Sequence, residues 1–250
     1  MDRIVIVDEG EGPIIATAIH DGHALRPECA ALTGLDDATR LREEDPYTGR
    51  IGARVPTRLV ATRSRFEVDL NRPRDKAVYT CAADAWNLEC WRESPPPALV
   101  ERSLAEYDAF YAELERVLRD REHRYGKFVV LDVHSYNHRR DGSAADVAGN
   151  PEINLGTGTV DRARWAGLVD RFRGDLAAAG FDIRENIKFK GGQMSRWVHE
   201  RFPQTGCALA LEFKKTFMDE WTGVPDDAHV DRLARAVAAT LPGLVESLAT

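Results

Sequence analysis

The sequence predicts an α/β protein, a three-layer α/β/α sandwich around a mixed central sheet. Three observations lead there. Short apolar runs rich in β-branched residues alternate with longer stretches of helical periodicity. The order reads strand, strand, short strands, helix, strand, helix, strand, helix, which a sheet covered on both faces accommodates. The run at 128–133 (Phe-Val-Val-Leu-Asp-Val) is apolar on both sides of its pleat, as a central strand must be. No internal repeat is visible, and 250 residues suffice for one core, so one catalytic domain over 1–250 is expected.

Residues 3–7 and 14–19 read as strands joined through a turn at 10–13. The second ends at His20, followed by Asp21, Gly22 and His23. Residues 24–42 are polar and helical in part. They lead to Glu43-Glu44-Asp45-Pro46, where the proline biases Asp45 away from helix. Three adjacent carboxylates are either solvated in an exposed loop or held by a cation, Arg42 or Arg50.

Residues 59–62 and 66–70 read as short strands. In the latter, Phe66, Val68 and Leu70 alternate with Glu67 and Asp69. Asn71 and Arg72 follow, an amide beside a planar fork of donors, suited to a carboxylate. Residues 84–98 are irregular, with Ser94 and three prolines as a stop. A long amphipathic helix is expected from Ser103 to about Tyr125, its buried stripe formed by Leu104, Tyr107, Tyr111, Leu114 and Leu118 and its end marked by Gly126.

The central strand releases His134 at its carboxyl end, where ligand crevices of open α/β sheets lie. Asp132 shares its side of the strand and is placed to orient the imidazole. Residues 141–159 read as a long loop of the functional kind. Then come a helix at 161–179 closed by Gly180, extended pieces at 181–183 and 187–189, and Lys190-Gly191-Gly192. A helix at 193–201 follows, then a buried strand at 207–213 with Glu212 near its carboxyl end. A last helix at 227–248 is expected to kink or break at Pro242.

The net charge of −7 disfavours general nucleic-acid binding. No apolar stretch approaches the roughly eighteen residues of a membrane span, and the start of the chain lacks a signal-peptide pattern. Four cysteines without CxxC spacing fit a reduced, cytoplasmic enzyme. Within this acidic chain, Arg63, Arg65, Arg72 and Arg74, then Arg139 and Arg140, then Lys188 and Lys190 gather beside the polar motifs, which points to an anionic small-molecule substrate.

Two histidines at strand ends, an acidic turn and a lone carboxylate in an apolar strand form a set suited to metal-assisted hydrolysis. Catalytic zinc commonly takes three His, Asp or Glu ligands and leaves a position for water. A separate carboxylate must then accept a proton and return it to the leaving amine, and Glu212 suits that task.

His20-Asp21-Gly22, Val68-Asp69-Leu70-Asn71-Arg72, Leu131-Asp132-Val133-His134-Ser135, Asn154-Leu155-Gly156-Thr157, Lys190-Gly191-Gly192, and Leu211-Glu212 through Met218-Asp219-Glu220 occur in one order along residues 14–220. In that order they resemble the motifs of the N-formylglutamate amidohydrolases, a family related in fold to the zinc carboxypeptidases and succinylglutamate desuccinylases. The resemblance implies a zinc-carboxypeptidase-like (phosphorylase/hydrolase-like) fold and one divalent zinc ion. It implies hydrolysis of N-formyl-L-glutamate to formate and glutamate, a late step of one histidine degradation route. His20 and His134 become metal ligands. The third comes from the acidic turn, where Asp45 matches best and Glu44 is the rival. Glu212 becomes the base, and Asn71 and Arg72 the pair that holds a substrate carboxylate. Arg139 and Lys190 are further candidates for that anion or for the oxyanion.

The chain departs from the family at Ile19-His20-Asp21-Gly22-His23, where relatives carry Pro-His-Ser-Gly or Pro-His-Ala-Gly before a basic residue. His23 there either touches substrate or replaces the ligand from the acidic turn. Two other readings stand beside this one. The first is a carboxypeptidase-like or amidase enzyme acting on a peptide or another N-acyl amino acid. The second is a non-catalytic small-molecule binding protein.

Overall fold

The computed structural model describes residues 3–139 and 148–249. Its strands are β1 (Val5–Asp8), β2 (Ile14–Ala18), β3 (Thr57–Ala61), β4 (Phe128–Tyr136), β5 (Ile153–Gly156), β6 (Ile183–Glu185) and β7 (Gly206–Lys214). They form one sheet in the order β1-β3-β2-β4-β7-β5-β6. The central four, β3, β2, β4 and β7, are parallel; β1 and β5 run antiparallel to β3 and β7, and β6 is parallel to β5. The helices are α1 (Pro27–Leu32), α2 (Asp37–Glu43), α3 (Thr48–Ile51), α4 (Pro97–Tyr125), α5 (Arg162–Ala178), α6 (Gln193–Arg201) and α7 (Asp227–Leu248).

All nine residues of β4 are buried. Val129, Leu131 and Val133 join Leu209 and Leu211 of β7 under Trp165 and Phe172 of α5 and Val237 of α7. Phe128 and Val130 join Ile15 and Ala208 under Phe110 and Leu114 of α4 and Met194 of α6. Two apolar faces and two helical covers make the expected three layers. Because side chains alternate along a strand, Asp132 and His134 continue the α4-facing side of β4 past the point where apolar packing ends.

Several elements differ from expectation. Helix α4 begins at Pro97, six residues before Ser103, because a proline in the first turn loses no hydrogen bond and arrives with its φ already helical. The prolines read as a stop are the start. Residues 66–70 form no strand. Glu67 and Val68 donate their N–H groups to Ser64 O in a turn, and the alternation arises because both sets of side chains are buried against different neighbours. Within the stretch read as a loop at 141–159, residues 153–156 form β5; residues 140–147, including Arg140, lie outside the described residues. The extended piece falls at 183–185, and α7 continues through Pro242.

The turn after β3 carries Asp69, Asn71 and Arg72 and is fastened by a buried ion pair. Arg26 donates from Nε to Glu67 Oε1 at 2.6 Å and from its backbone to Oε2 at 2.7 Å, while Nη2 reaches Ser103 Oγ of α4 at 2.6 Å. Removing Arg26 leaves the buried Glu67 carboxylate with only Arg63, whose Nε lies 3.7 Å from Oε1, to offset its charge. Arg26→Met should therefore lower stability by about 3–5 kcal/mol, read as a shift in urea midpoint. A change below about 0.5 kcal/mol would mean that the pair does not fasten the turn.

Candidate active site

Parallel strands deliver their last residues to one end of the sheet. His20 follows β2, His134 stands near the end of β4, and Glu212 of β7 is its register partner. The acidic turn meets them there, Asp45 N donating to His20 O at 2.9 Å. His20 Nδ1 lies 3.3 Å and His134 Nδ1 3.1 Å from the same oxygen, Asp45 Oδ2. The ring centroids are 5.0 Å apart. Each far nitrogen faces its own carboxylate: His20 Nε2 lies 2.8 Å from Asp69 Oδ1, and His134 Nε2 lies 3.0 Å from Asp132 Oδ1. Ser135 Oγ holds the other oxygen of Asp45 at 3.2 Å.

This arrangement fixes the chemistry of the imidazoles. A neutral imidazole donating from Nε2 presents a lone pair at Nδ1, the carboxylate–histidine pattern that supports metal ligands. Two lone pairs aimed at one anionic oxygen repel unless a proton or a cation fills the space between. One donor atom each from His20, Asp45 and His134 lies within 4.8 Å of the others, and all three residues are buried. Two imidazole nitrogens and one carboxylate oxygen are a donor set that fits a divalent zinc ion.

Each of these groups is held. Asp69 Oδ2 accepts from Arg65 Nη2 at 2.8 Å and from the Tyr79 hydroxyl, and Oδ1 also accepts from Asn71 N. Burial opposes its charge, but Arg65 and His20 keep Asp69 well below the usual carboxylate range. Burial likewise opposes charge on His134, and Asp132 and Asp45 raise it well above the usual imidazole range. The acidic turn is fastened from behind by Lys215, whose buried Nζ donates to Arg42 O and Glu44 O, each at 2.6 Å. Asp21 accepts from Gly49 N at 3.1 Å just beyond the turn. Gly22 lies so close to Thr62 and Arg63 that a Cβ would sit 2.3 Å from backbone carbon, which accounts for the glycine in that motif.

A cleft of about 270 Å³ opens over this centre, lined by His20, Asp45, His134, Glu212, Asn71 and Arg72, and by Arg65, Lys188 and Lys215. Glu212 is partly exposed to the cleft, and its carboxylate makes no hydrogen bond or ion pair among the described residues. Protein packed around the rest of it pushes its carboxyl up to about 8, the burial effect outweighing the pull of His134. Asn71 Oδ1 caps α6 by accepting from Met194 N at 3.1 Å, and a Cβ on Gly192 would lie 2.2 Å from that oxygen. Arg72 remains 41% exposed, its Nη2 donating to Asp84 O at 3.3 Å.

Four residues singled out in the sequence lie elsewhere. Glu44 is buried and faces away, its carboxylate bonded to His23 Nδ1 at 2.5 Å and to Ser64. His23 spends its other ring nitrogen on Arg40 and does not line the cleft. Arg139 is exposed beside a neighbouring groove, its N–H donating to Glu220. Lys190 is exposed, its carbonyl accepting from Gly158 N. Sequence reasoning counted Arg65 only among the cations that point to an anionic substrate, and gave no role to Lys215. Charges in apolar or acidic surroundings were the only available signal for them.

The chain matches the model of the N-formylglutamate amidohydrolase family over residues 12–218. An N-formylglutamate deformylase of Pseudomonas aeruginosa is 30% identical to it over 274 residues, spanning 99% of this chain and 97% of that protein. One of Pseudomonas putida is 28% identical over 279 residues, spanning 99% and 96%. The crystal structure of an N-formylglutamate amidohydrolase from Ralstonia eutropha JMP134 shares the fold, with a TM-score of 0.79 at 20% identity over 97% of this chain and 98% of that one. A motif order that runs through the strand ends and a family match across most of the length agree, and this chain belongs to the N-formylglutamate amidohydrolase family.

Proposed function

We propose that this protein hydrolyses N-formyl-L-glutamate to formate and L-glutamate. His20, Asp45 and His134 would hold one divalent ion, zinc by the character of the donors. Such an ion, when bound, supplies a Lewis acid that polarises a carbonyl and makes water acidic near neutrality. Every remaining function falls to side chains of the cleft.

The observation that carries the reading is Glu212. The other carboxylates of the centre, Asp45, Asp69 and Asp132, are committed to histidines, whereas Glu212 faces the cleft with no partner among the described residues. It accepts the proton of the attacking water as hydroxide adds to the formyl carbon. It then gives that proton to the amide nitrogen as the C–N bond breaks, so that formate and the free amine leave. Burial favours the protonated form of this carboxyl, so positive charge in the site is what keeps it ionised at neutral pH. Arg72, with Asn71 beside it, takes the substrate's α-carboxylate through its planar fork of donors.

Formate release from N-formyl-L-glutamate should be lost on chelation and restored by zinc. Release that persists without metal would remove the metal from the reaction. Zinc bound at one equivalent with no release would move the search to other N-acyl amino acids or peptides. A chain that binds no zinc and releases no formate would favour a non-catalytic binding protein.

Glu212→Gln should keep its zinc and lose turnover by about 10²–10⁴-fold. Unchanged turnover would exclude Glu212 as the base. The same variant tests the strain at this position. Between about 4.5 and about 8 the folded metal-free chain binds a proton at Glu212 that the unfolded chain has released. Folding stability therefore falls as pH rises through that window, by at most about 1.4 kcal/mol per pH unit. Urea midpoints of metal-free protein should show Glu212→Gln gaining on the wild type from pH 5 to pH 8.5. Parallel pH profiles would contradict the raised carboxyl.

A further inference from the structure

We infer that Asn137 binds the scissile amide in the cleft, its side-chain oxygen accepting the substrate's N–H, and that Glu220 is the residue that positions it. This deepens the reading above and rests on it. An N-acyl amino acid brings two kinds of hydrogen-bonding group to the cleft. Its carboxylates and its carbonyl are acceptors, and Arg72, Asn71 and a metal ion would meet them. Its amide N–H is a donor, carried on the atom whose bond is to break, and it needs an acceptor.

Asn137 is the first residue beyond β4, and it lines the cleft. It is 8% exposed, and its Oδ1 is buried with no hydrogen-bond partner. Its Nδ2 makes no hydrogen bond among the described residues either. A buried amide left unpaired costs stability, and a donor arriving in the cleft would remove that cost. No hydrogen bond fixes which end of this carboxamide faces the cleft, so a donor placed there selects the oxygen. The other carboxylates and amides of the cleft are engaged. Asp45 faces two histidines, Glu43 accepts from Arg42 Nε at 3.3 Å, and Asn71 Oδ1 accepts from Met194 N. Glu212 has its own task as the proposed base.

The side chain has no partner, yet the backbone on both sides of it is fixed. Tyr136 O accepts from Lys215 N at 3.1 Å, and the Tyr136 hydroxyl donates to Pro151 O at 2.5 Å. On the other side His138 N donates to Glu220 Oε1 at 2.8 Å, and Arg139 N donates to the same oxygen at 3.2 Å. His138 Nε2 lies 3.4 Å from it. Glu220 is itself buried. It closes the motif Met218-Asp219-Glu220, and its carboxylate holds the chain where β4 leaves the sheet. A residue clamped before and after, with its amide unspent, is a preorganised contact. Its effect on the reaction is directional. Once water has added to the formyl carbon, the amide nitrogen becomes tetrahedral and its lone pair must face the group that protonates it. Holding the N–H on Asn137 sets the direction of that lone pair relative to Glu212, the register partner of His134.

The test compares N-formyl-L-glutamate with its ester counterpart, O-formyl-L-2-hydroxyglutarate, in which oxygen replaces the N–H and both carboxylates remain. In Asn137→Ala, with zinc content and Tm as folding controls, kcat/KM for the amide should fall about tenfold further than kcat/KM for the ester. Asn137→Leu, close in size but without an acceptor, should do the same, which separates the lost contact from a cavity. Asn137→Asp keeps an oxygen in that place and should retain more of the amide-to-ester ratio than either. Glu220→Ala should lower the ratio with Asn137 intact, and Glu220→Gln, which keeps an acceptor for the His138 N–H, should restore part of it. Equal losses on amide and ester in Asn137→Ala and Asn137→Leu that hold their zinc would overturn the assignment of Asn137. A wild-type ratio in Glu220→Ala would remove Glu220 as the positioning residue. If wild type released formate from neither compound, the proposed activity itself would fail and this assignment with it.

Discussion

Two imidazoles that face one carboxylate oxygen need positive charge between them, and the architecture around β2 and β4 serves that requirement. Asp69 and Asp132 occupy the far nitrogens of His20 and His134, so both rings are turned with Nδ1 toward Asp45. Without metal a proton stands in for the cation, and against the effect of burial Asp132 first and then Asp45 hold His134 well above the usual imidazole range. Metal binding would displace that proton, so affinity for the ion is linked to pH. Arg65 and Lys215 limit the excess of negative charge without taking part in the triad itself. Arg65 spends a guanidinium nitrogen on Asp69, and Lys215 spends its ammonium on the backbone of the turn that presents Asp45.

The loops of the cleft are set by side chains distant in sequence. Tyr107 and Tyr111 of α4 donate to Arg72 O at 3.0 Å and to Leu70 O at 2.7 Å, carrying the placement of Asn71 and Arg72 back to a helix packed on the sheet. Gly156 approaches Gly191 so closely that a Cβ would lie 2.7 Å from its backbone nitrogen. The two motifs that contain these glycines are therefore one contact, made where β5 meets the start of α6. Arg26 and Glu67 fasten the same turn from below.

Much of this was legible in the sequence, and the boundary has a physical cause. Strands ending in histidine are visible because apolar runs stop where a cleft begins, and His20, His134 and Glu212 were found that way. The choice between Asp45 and Glu44 was not legible. Neighbouring residues in a turn point in different directions, and only the chain's path sends Glu44 to Ser64 and His23. Lys188 and Lys190 flank the same phenylalanine, yet only Lys188 lines the cleft, where Asn154 grips the backbone at 188 and 189. The run at 66–70 misleads for a related reason. Alternation signals a strand when one face is wet, but here Glu67 and Asp69 are as buried as the apolar residues between them.

The division of labour between strands and loops bears on how such a site changes substrate. The proposed base is carried by a central strand, and the candidate ligands by strand ends and a turn fastened at several points, where small displacements would cost catalysis heavily. Arg72, proposed to meet the substrate's α-carboxylate, extends from the loop after β3 with its side chain 41% exposed. Loops tolerate substitution that a packed strand does not. The loop at 186–190 is held by buried Asn154 at 188 and 189, by Asn186 against Leu155 and Thr157, and by Lys190 O against Gly158 N, so β5, paired to the strand of Glu212, carries its placement.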